Sequence, residues 1–202
     1  MMTLAEPSPT TVTHTQPDRC WELVRQVQAG DRDAFGTLYE MYVDVVFRYC
    51  LFRTGNREVA EDLTSETFLR ALRRISSVSY QGRDIGAWFV TIARNLVLDR
   101  AKSAGFIREK LYDGPEHLPA QRTPDEPAEG AVASELAVKL REALPALSRN
   151  QRECIELRFF GQLSVAETAT VMHRNEGSVK ALQHRAIRRL AQLLPPSLLI
   201  TT

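Results

Sequence analysis

The sequence predicts an all-α protein of two small helical domains joined by an acidic flexible linker. Three observations predict it. Apolar residues recur at spacings of three and four almost throughout, while the alternation that marks strands is scarce. Between Leu111 and Ala131 stand Pro115, Pro119, Pro124 and Pro127 with Gly114, Gly130 and a surplus of acids, the composition of an extended tether. Beyond that divide, Ser148 with Gln151 and Ser164 with Glu167 each set a serine three residues before a Gln or Glu, the pattern that starts a helix with a reciprocal capping box. The expected units are a disordered tail over 1–17, a four-helix domain over 18–105, the linker over 106–133, a helix-turn-helix domain over 134–195 and a short tail over 196–202.

Each element has its own signal. Asp18 is placed to cap a short helix carrying Trp21, Val24 and Val27, which Gly30 ends. Asp31 opens a longer helix with Phe35, Leu38, Tyr42, Val45, Val46 and Tyr49 as its inward stripe, and Gly55-Asn56 closes it and starts the next. That third helix, Arg57 to Ile75, turns Val59, Leu63, Phe68, Leu72 and Ile75 inward. Its acids Glu58, Glu61, Asp62 and Glu66 precede Arg70, Arg73 and Arg74, the order the helix dipole favours. A polar loop, Ser76 to Gly86, leads to a fourth helix over about 87–102 in which Trp88 and Ile92 bury. After the linker, Gly161 ends a capped helix, Ser164 to Met172 forms a short one, His173-Arg174-Asn175 turns the chain, and Asn175 caps a last helix running to about Leu194.

Charge and cysteine usage narrow the function. The 202 residues carry a formal net charge of only +1, so any nucleic-acid signal must lie in how charges are distributed. They are polarised: Asp113, Glu116, Asp125, Glu126 and Glu129 make the middle acidic, whereas Arg174, Lys180, Arg185, Arg188 and Arg189 make the stretch from His173 to Arg189 basic. Cys20, Cys50 and Cys154 are odd in number and widely spaced, which argues against disulfides or zinc and for reduced, buried thiols in a cytoplasmic protein. No run is long and apolar enough to span a bilayer, and the first residues lack the features of a signal peptide. No cofactor cradle or metal-ligand spacing is present, and Cys154 with His173, the only conceivable nucleophile and base, lacks an orienting acid.

A short capped helix, a tight turn and a longer basic helix are the parts of a DNA-binding helix-turn-helix. In the last helix Val179, Leu182, Ala186, Leu190 and Leu193 lie on one face. Gly177, Lys180, Ala181, His184, Arg185 and Arg188 lie on the other, where cations meet phosphates and side chains reach base edges. A solvated basic helix would show the same stripe; the capped helix before it favours DNA.

Leu147-Ser148-Arg149-Asn150-Gln151-Arg152-Glu153, Leu163-Ser164-Val165-Ala166-Glu167-Thr168-Ala169 and Gly177-Ser178-Val179-Lys180 resemble the C-terminal domain of the extracytoplasmic-function (ECF) sigma factors of bacterial RNA polymerase. Ala60-Glu61-Asp62-Leu63-Thr64-Ser65-Glu66-Thr67-Phe68-Leu69-Arg70-Ala71 resembles their polymerase-binding helix, and Ala87-Trp88-Phe89-Val90-Thr91-Ile92-Ala93-Arg94-Asn95 their promoter-melting helix. Both halves are worded most like the BldN-like developmental regulators of sporulating actinomycetes. The resemblance implies a region 2 domain, a region 4 domain, core polymerase and promoter DNA as partners, and an anti-sigma factor that holds the protein inactive; it implies no small-molecule substrate. It assigns Glu61, Asp62, Glu66 and Phe68 to core polymerase, with Ser65 standing where Gln is common. It assigns Tyr80, Gln81, Arg83, Arg94, Asn95 and Asp99 to the opened minus-10 element, and Lys180, Ala181, His184, Arg185 and Arg188 to the minus-35 element. Whether Lys180 and Arg185 meet guanine edges or phosphates stays open, as does whether Tyr80 meets a base or packs in its loop. The rival reading is a helix-turn-helix repressor or activator that acts without core polymerase.

Overall fold

The computed structural model describes residues 17–80, 82–111, 139–140 and 142–194, and these contain helices and turns but no strand. Pro17 begins α1 (Pro17–Gln28), so Asp18, expected as the cap of this helix, lies inside its first turn instead. A proline fits a first-turn position because its missing N–H would have no helical acceptor there. Cys20, Trp21 and Val24 point inward. Asp31 caps α2 (Arg32–Thr54) by accepting from the Asp33 and Ala34 amides. Gly55 ends α2 with a φ of +64, a left-handed turn that suits glycine, and the Asn56 side chain caps α3 (Arg57–Arg74) by accepting from the Val59 amide at 3.0 Å. A 3-10 turn over Ile75–Ser77 and an irregular loop connect α3 to α4 (Ile85–Leu111).

Two expectations about this half need correction. Leu72 does not pack inward: it is 49% exposed, because α3 turns the face of Ala60, Leu63, Thr64, Thr67, Phe68 and Ala71 to its neighbours and Leu72 falls outside that arc. And α4 runs past the expected end at Lys102, since Ala101 to Leu111, Gly105 aside, is rich in good helix formers.

The second half begins with a 3-10 turn, Leu144–Ala146, followed by α5 (Arg149–Ile155), which continues into a π-helical turn over Glu156–Phe160. Then come α6 (Val165–Val171) and α7 (Glu176–Leu193). Both capping boxes form as the sequence indicates: Ser148 and Ser164 accept from the amides of Gln151 and Glu167, whose side chains accept in return from the serine amides. Along α7, Val179, Leu182, Ala186 and Leu190 are buried, but Leu193, expected inward, is 40% exposed, because the stripe continues from Leu190 to Leu194 and leaves Leu193 beside it.

The N-terminal core gathers Trp21, Val24, Leu38, Val46, Tyr49, Leu63, Phe68, Phe89 and Val90 from α1 to α4, and it does not stop at the chain's divide. Leu157, Leu163 and Val171 join it from the second half. Phe52 of α2 stacks on Phe160 with ring centroids 3.4 Å apart, and a Cβ on Gly161 would come within 3.0 Å of Val90 Cγ1. Smaller clusters, Leu144, Leu147, Ile155, Ala186 and Leu190 in one and Cys154, Ala169, Val179 and Leu182 in another, hold α5 to α7 together. The two units therefore rest on each other along a packed seam. The expected tails and the linker after Leu111 lie outside the described residues.

Candidate nucleic-acid and polymerase interfaces

The basic face on α7 is positioned by the turn before it. His173 takes a φ of +53, its amide donates to the Thr170 carbonyl at 3.1 Å, and the Arg174 amide reaches the Ala169 carbonyl at 2.8 Å, so α6 is closed off within one turn. Asn175 then caps α7 by accepting from the Ser178 amide at 2.7 Å. Burying Ala169, Val179 and Leu182 together fixes the rotation of α7. Lys180, His184, Arg185 and Arg188 consequently face solvent with Ala181 half-buried between them. Among the described residues only Lys180 of this group has an ionic partner, Glu176 one turn earlier at 3.8 Å, an exposed pair of small strength. The face is open to an external polyanion.

Glu61 and Asp62 are exposed on α3 and Glu66 is half-buried. Glu61 meets Arg57 at 2.9 Å and Glu66 meets Arg70 at 2.6 Å, pairs that orient the acids without neutralising the whole face. Phe68 stands apart from them: it is buried, with its ring edge-on to Tyr39 at 4.8 Å and tilted against Phe89 at 5.1 Å. What stands outside beside the acids is apolar: Leu69 and Leu72, each 49% exposed, with Tyr39 from α2 at 43%. The sequence reading missed these three. Leu69 and Leu72 do sit three residues apart on the stripe next to Phe68 and Ala71, but spacing alone does not say where the covered arc of a helix ends.

Of the residues expected at the minus-10 element, Tyr80 is 53% exposed, with its ring edge-on to Trp21 at 5.3 Å. Arg83 lies beside it in the loop, and Gln81 lies outside the described residues. Asn95 and Asp99 are exposed one turn apart on α4, Asp99 within 4.0 Å of Lys102. Arg94 is elsewhere: its Nε donates to Glu153 of α5 at 2.8 Å across the seam. Arg53 pairs in the same way with the buried Glu156, and the Glu167 carboxylate accepts from the Asp84 amide at 3.1 Å. Three acids of the second half thus hold the first, two of them on the segments expected to read the minus-10 element. Burial pushes the Glu156 carboxyl above the ordinary carboxylate range, an effect the Arg53 guanidinium opposes. A cleft of about 380 Å³ at this seam is lined by Tyr49, Arg53, Arg94, Arg149, Arg152 and Glu153.

The cysteines are free and buried. Cys154 directs its thiol at the Val179 carbonyl, 3.7 Å away, while His173 is exposed in the turn between α6 and α7. Burial raises the Cys50 thiol to about 11. Among the described residues, no group of His, Cys, Asp or Glu is arranged to hold a metal ion, and no helix is long and apolar enough to cross a membrane.

Comparison with known proteins follows the same division. Residues 38–107 match the family description "Sigma-70 region 2" and residues 137–190 match "Sigma-70, region 4". The ECF RNA polymerase sigma factor BldN of Streptomyces coelicolor is 54% identical over 177 residues, 88% of this chain and 66% of that relative's length, so the chain spans just under two thirds of it. The ECF RNA polymerase sigma factor SigL of Mycobacterium tuberculosis is 35% identical over 162 residues, covering 80% of this chain and 89% of the relative. Among solved structures, the sigma factor RpoE of Bartonella quintana, in a co-crystal with the anti-sigma factor NepR, superimposes with a TM-score of 0.64 at 23% identity, covering 83% of this chain and 98% of that one.

Proposed function

The chain belongs to the ECF RNA polymerase sigma factors, and from that premise we propose that it is an alternative sigma factor that brings core RNA polymerase to a particular promoter class and helps to open the DNA there. Its role is regulatory and its place the cytoplasm, where polymerase works. The unit over 18–105 carries the α3 face, where Glu61, Asp62 and Glu66 with Leu69 and Leu72 suit a basic and partly apolar surface of core polymerase. Phe68 supports that face from inside. Tyr80, Arg83, Asn95 and Asp99, with Arg94 once the seam opens, suit unstacked bases of the minus-10 element, which are recognised by stacking and edge hydrogen bonds. The unit over 134–195 presents Lys180, Ala181, His184, Arg185 and Arg188 to the minus-35 groove. The linker over 106–133 joins the two.

The observation that carries this reading is the coexistence, in one chain, of a cationic face on a capped helix-turn-helix, whose one ionic partner among the described residues is Glu176, and an acidic-apolar face on a separate, earlier helix. A repressor has use for the first and not for the second. Mobility-shift assays on promoter duplex, with and without core polymerase, separate the two. A sigma factor binds the duplex tightly only with core present; tight binding by the isolated chain would support the repressor. The RpoE relative was crystallised with an anti-sigma factor, and we infer such a partner here. Tyr39, Leu69 and Leu72 offer it apolar anchors on the face that core polymerase also needs.

A further inference from the structure

The loop proposed to read the minus-10 element has little structure of its own. Residues 78–80 and 84 belong to no helix, and Gly82 adopts a φ of +71. A loop of this kind reads bases reproducibly only if its backbone is held from outside, because an unrestrained segment must lose its freedom on binding and so binds more weakly and with less discrimination. Here it is held at both ends, largely by a helix that lies ahead of the residues matching region 2, which begin at 38.

At the entry, the Gln28 side-chain amide donates to the Ile75 carbonyl at 2.7 Å and to the Val78 carbonyl at 2.8 Å. At the exit, the Trp21 indole N–H donates to the Arg83 carbonyl at 2.5 Å, while the Trp21 ring meets Tyr80 edge-on. Asp84 finishes the anchoring: its carboxylate accepts from the Tyr42 hydroxyl at 2.8 Å and from the Gly86 amide at 2.6 Å. The fit is close, since a Cβ on Gly86 would lie 2.5 Å from Tyr42 Cε1. Packing alone explains Trp21, which is buried. It does not explain Gln28, which is exposed, adds nothing to the core, and still spends both amide hydrogens on loop carbonyls 47 and 50 residues away.

We propose that α1 is a brace that sets the shape of the minus-10 loop, with Gln28 and Trp21 as positioning residues for promoter reading. Neither need touch DNA. They act through the Val78 and Arg83 carbonyls and the Tyr80 ring, so that the base preference of the loop is set partly by a helix outside it. The proposal rests on the reading of the loop as the minus-10 element's partner.

The test compares wild type with Gln28→Met and Trp21→Phe. The first keeps the side chain's length and removes its donors; the second keeps an aromatic ring and removes the indole N–H. Each full-length protein is assembled with core polymerase and assayed by run-off transcription on promoter libraries randomised at the minus-10 or the minus-35 element, alongside core affinity and thermal melting. Each variant should form open complexes several-fold to about tenfold less readily, the scale of one or two lost hydrogen bonds, and should discriminate more weakly among minus-10 sequences. Preference at minus-35 and core affinity should stay at wild-type values in both variants, and the melting temperature should stay there in Gln28→Met, whose side chain is exposed, while Trp21→Phe loses some core packing. Unchanged minus-10 preference in Gln28→Met, or a loss shared equally by minus-35 selection and core affinity, would overturn the brace alone. A wild-type chain that selects no start site would overturn the proposed function and the brace with it.

Discussion

At the scale of residues, the decisive property is which charged groups have partners inside the protein. Arg185 and Arg188 have none among the described residues, whereas Arg94 and Arg53 are committed to acids across the seam. Arg185→Glu should therefore leave stability within about 0.5 kcal/mol of wild type, as exposed substitutions do, while lowering transcription from a minus-35-dependent promoter by about fivefold to a hundredfold, the effect of about 1–3 kcal/mol at a base or phosphate contact. Thermal melts and run-off assays check the two halves of that statement. The thiols behave oppositely. With Cys50 raised to about 11 by burial, almost none of it is thiolate at pH 8, so alkylation of the native protein followed by mass spectrometry should find Cys50 unmodified until denaturant is added. These burial-dependent properties are hard to see in a sequence. Asn95 illustrates it: the resemblance assigns it to the minus-10 element, and only the fold shows that it lies on the exposed face of α4.

Elements were legible wherever their signals are local. Asp31, Gly55, Asn56, Ser148, Ser164 and Asn175 each act as the caps or stops their residue types suggest, because capping depends on atoms within three or four positions. Ser164→Ala should accordingly destabilise the α5–α7 unit by about 1 kcal/mol, seen as a lower melting temperature, with a larger effect on minus-35 recognition than on core binding. Choices between helix faces were less legible. Leu72 and Leu193 fit an apolar stripe by spacing, but which stripe is covered depends on the rotation of each helix against its neighbours, a tertiary fact. For α3 the consequence is functional: Leu69 and Leu72 stand beside the acids instead of beneath them. A Leu69→Asp, Leu72→Asp double variant should fold as wild type and lose affinity for core polymerase by tenfold or more in a binding titration, since exposed leucines contribute little to stability and much to an interface.

Over the whole molecule, the seam between the two units is the feature least visible in sequence. Glu153 and Glu156 read as ordinary helical acids and Glu167 as the capping-box partner of Ser164, and only the fold brings them to Arg94, Arg53 and the Asp84 amide. Under the proposed function the two promoter elements are read at once by domains far enough apart to reach both, which requires this closed packing to loosen on the polymerase. The pH dependence of that opening follows from Glu156. Its carboxyl titrates higher when buried in the closed form than its ordinary value of 4.5, so closing takes up a proton, and closure is favoured as pH falls toward the raised value and weakened as pH rises above it. Energy transfer between labels on α3 and α7 should report more closed protein at mildly acidic pH, and Glu156→Gln should flatten the response. The central claim is tested most directly by run-off transcription: purified chain added to bacterial core polymerase on a genomic fragment library. The account predicts discrete transcripts with shared start sites that are absent from core alone and lost with Arg185→Glu; transcription no different from core alone would contradict it.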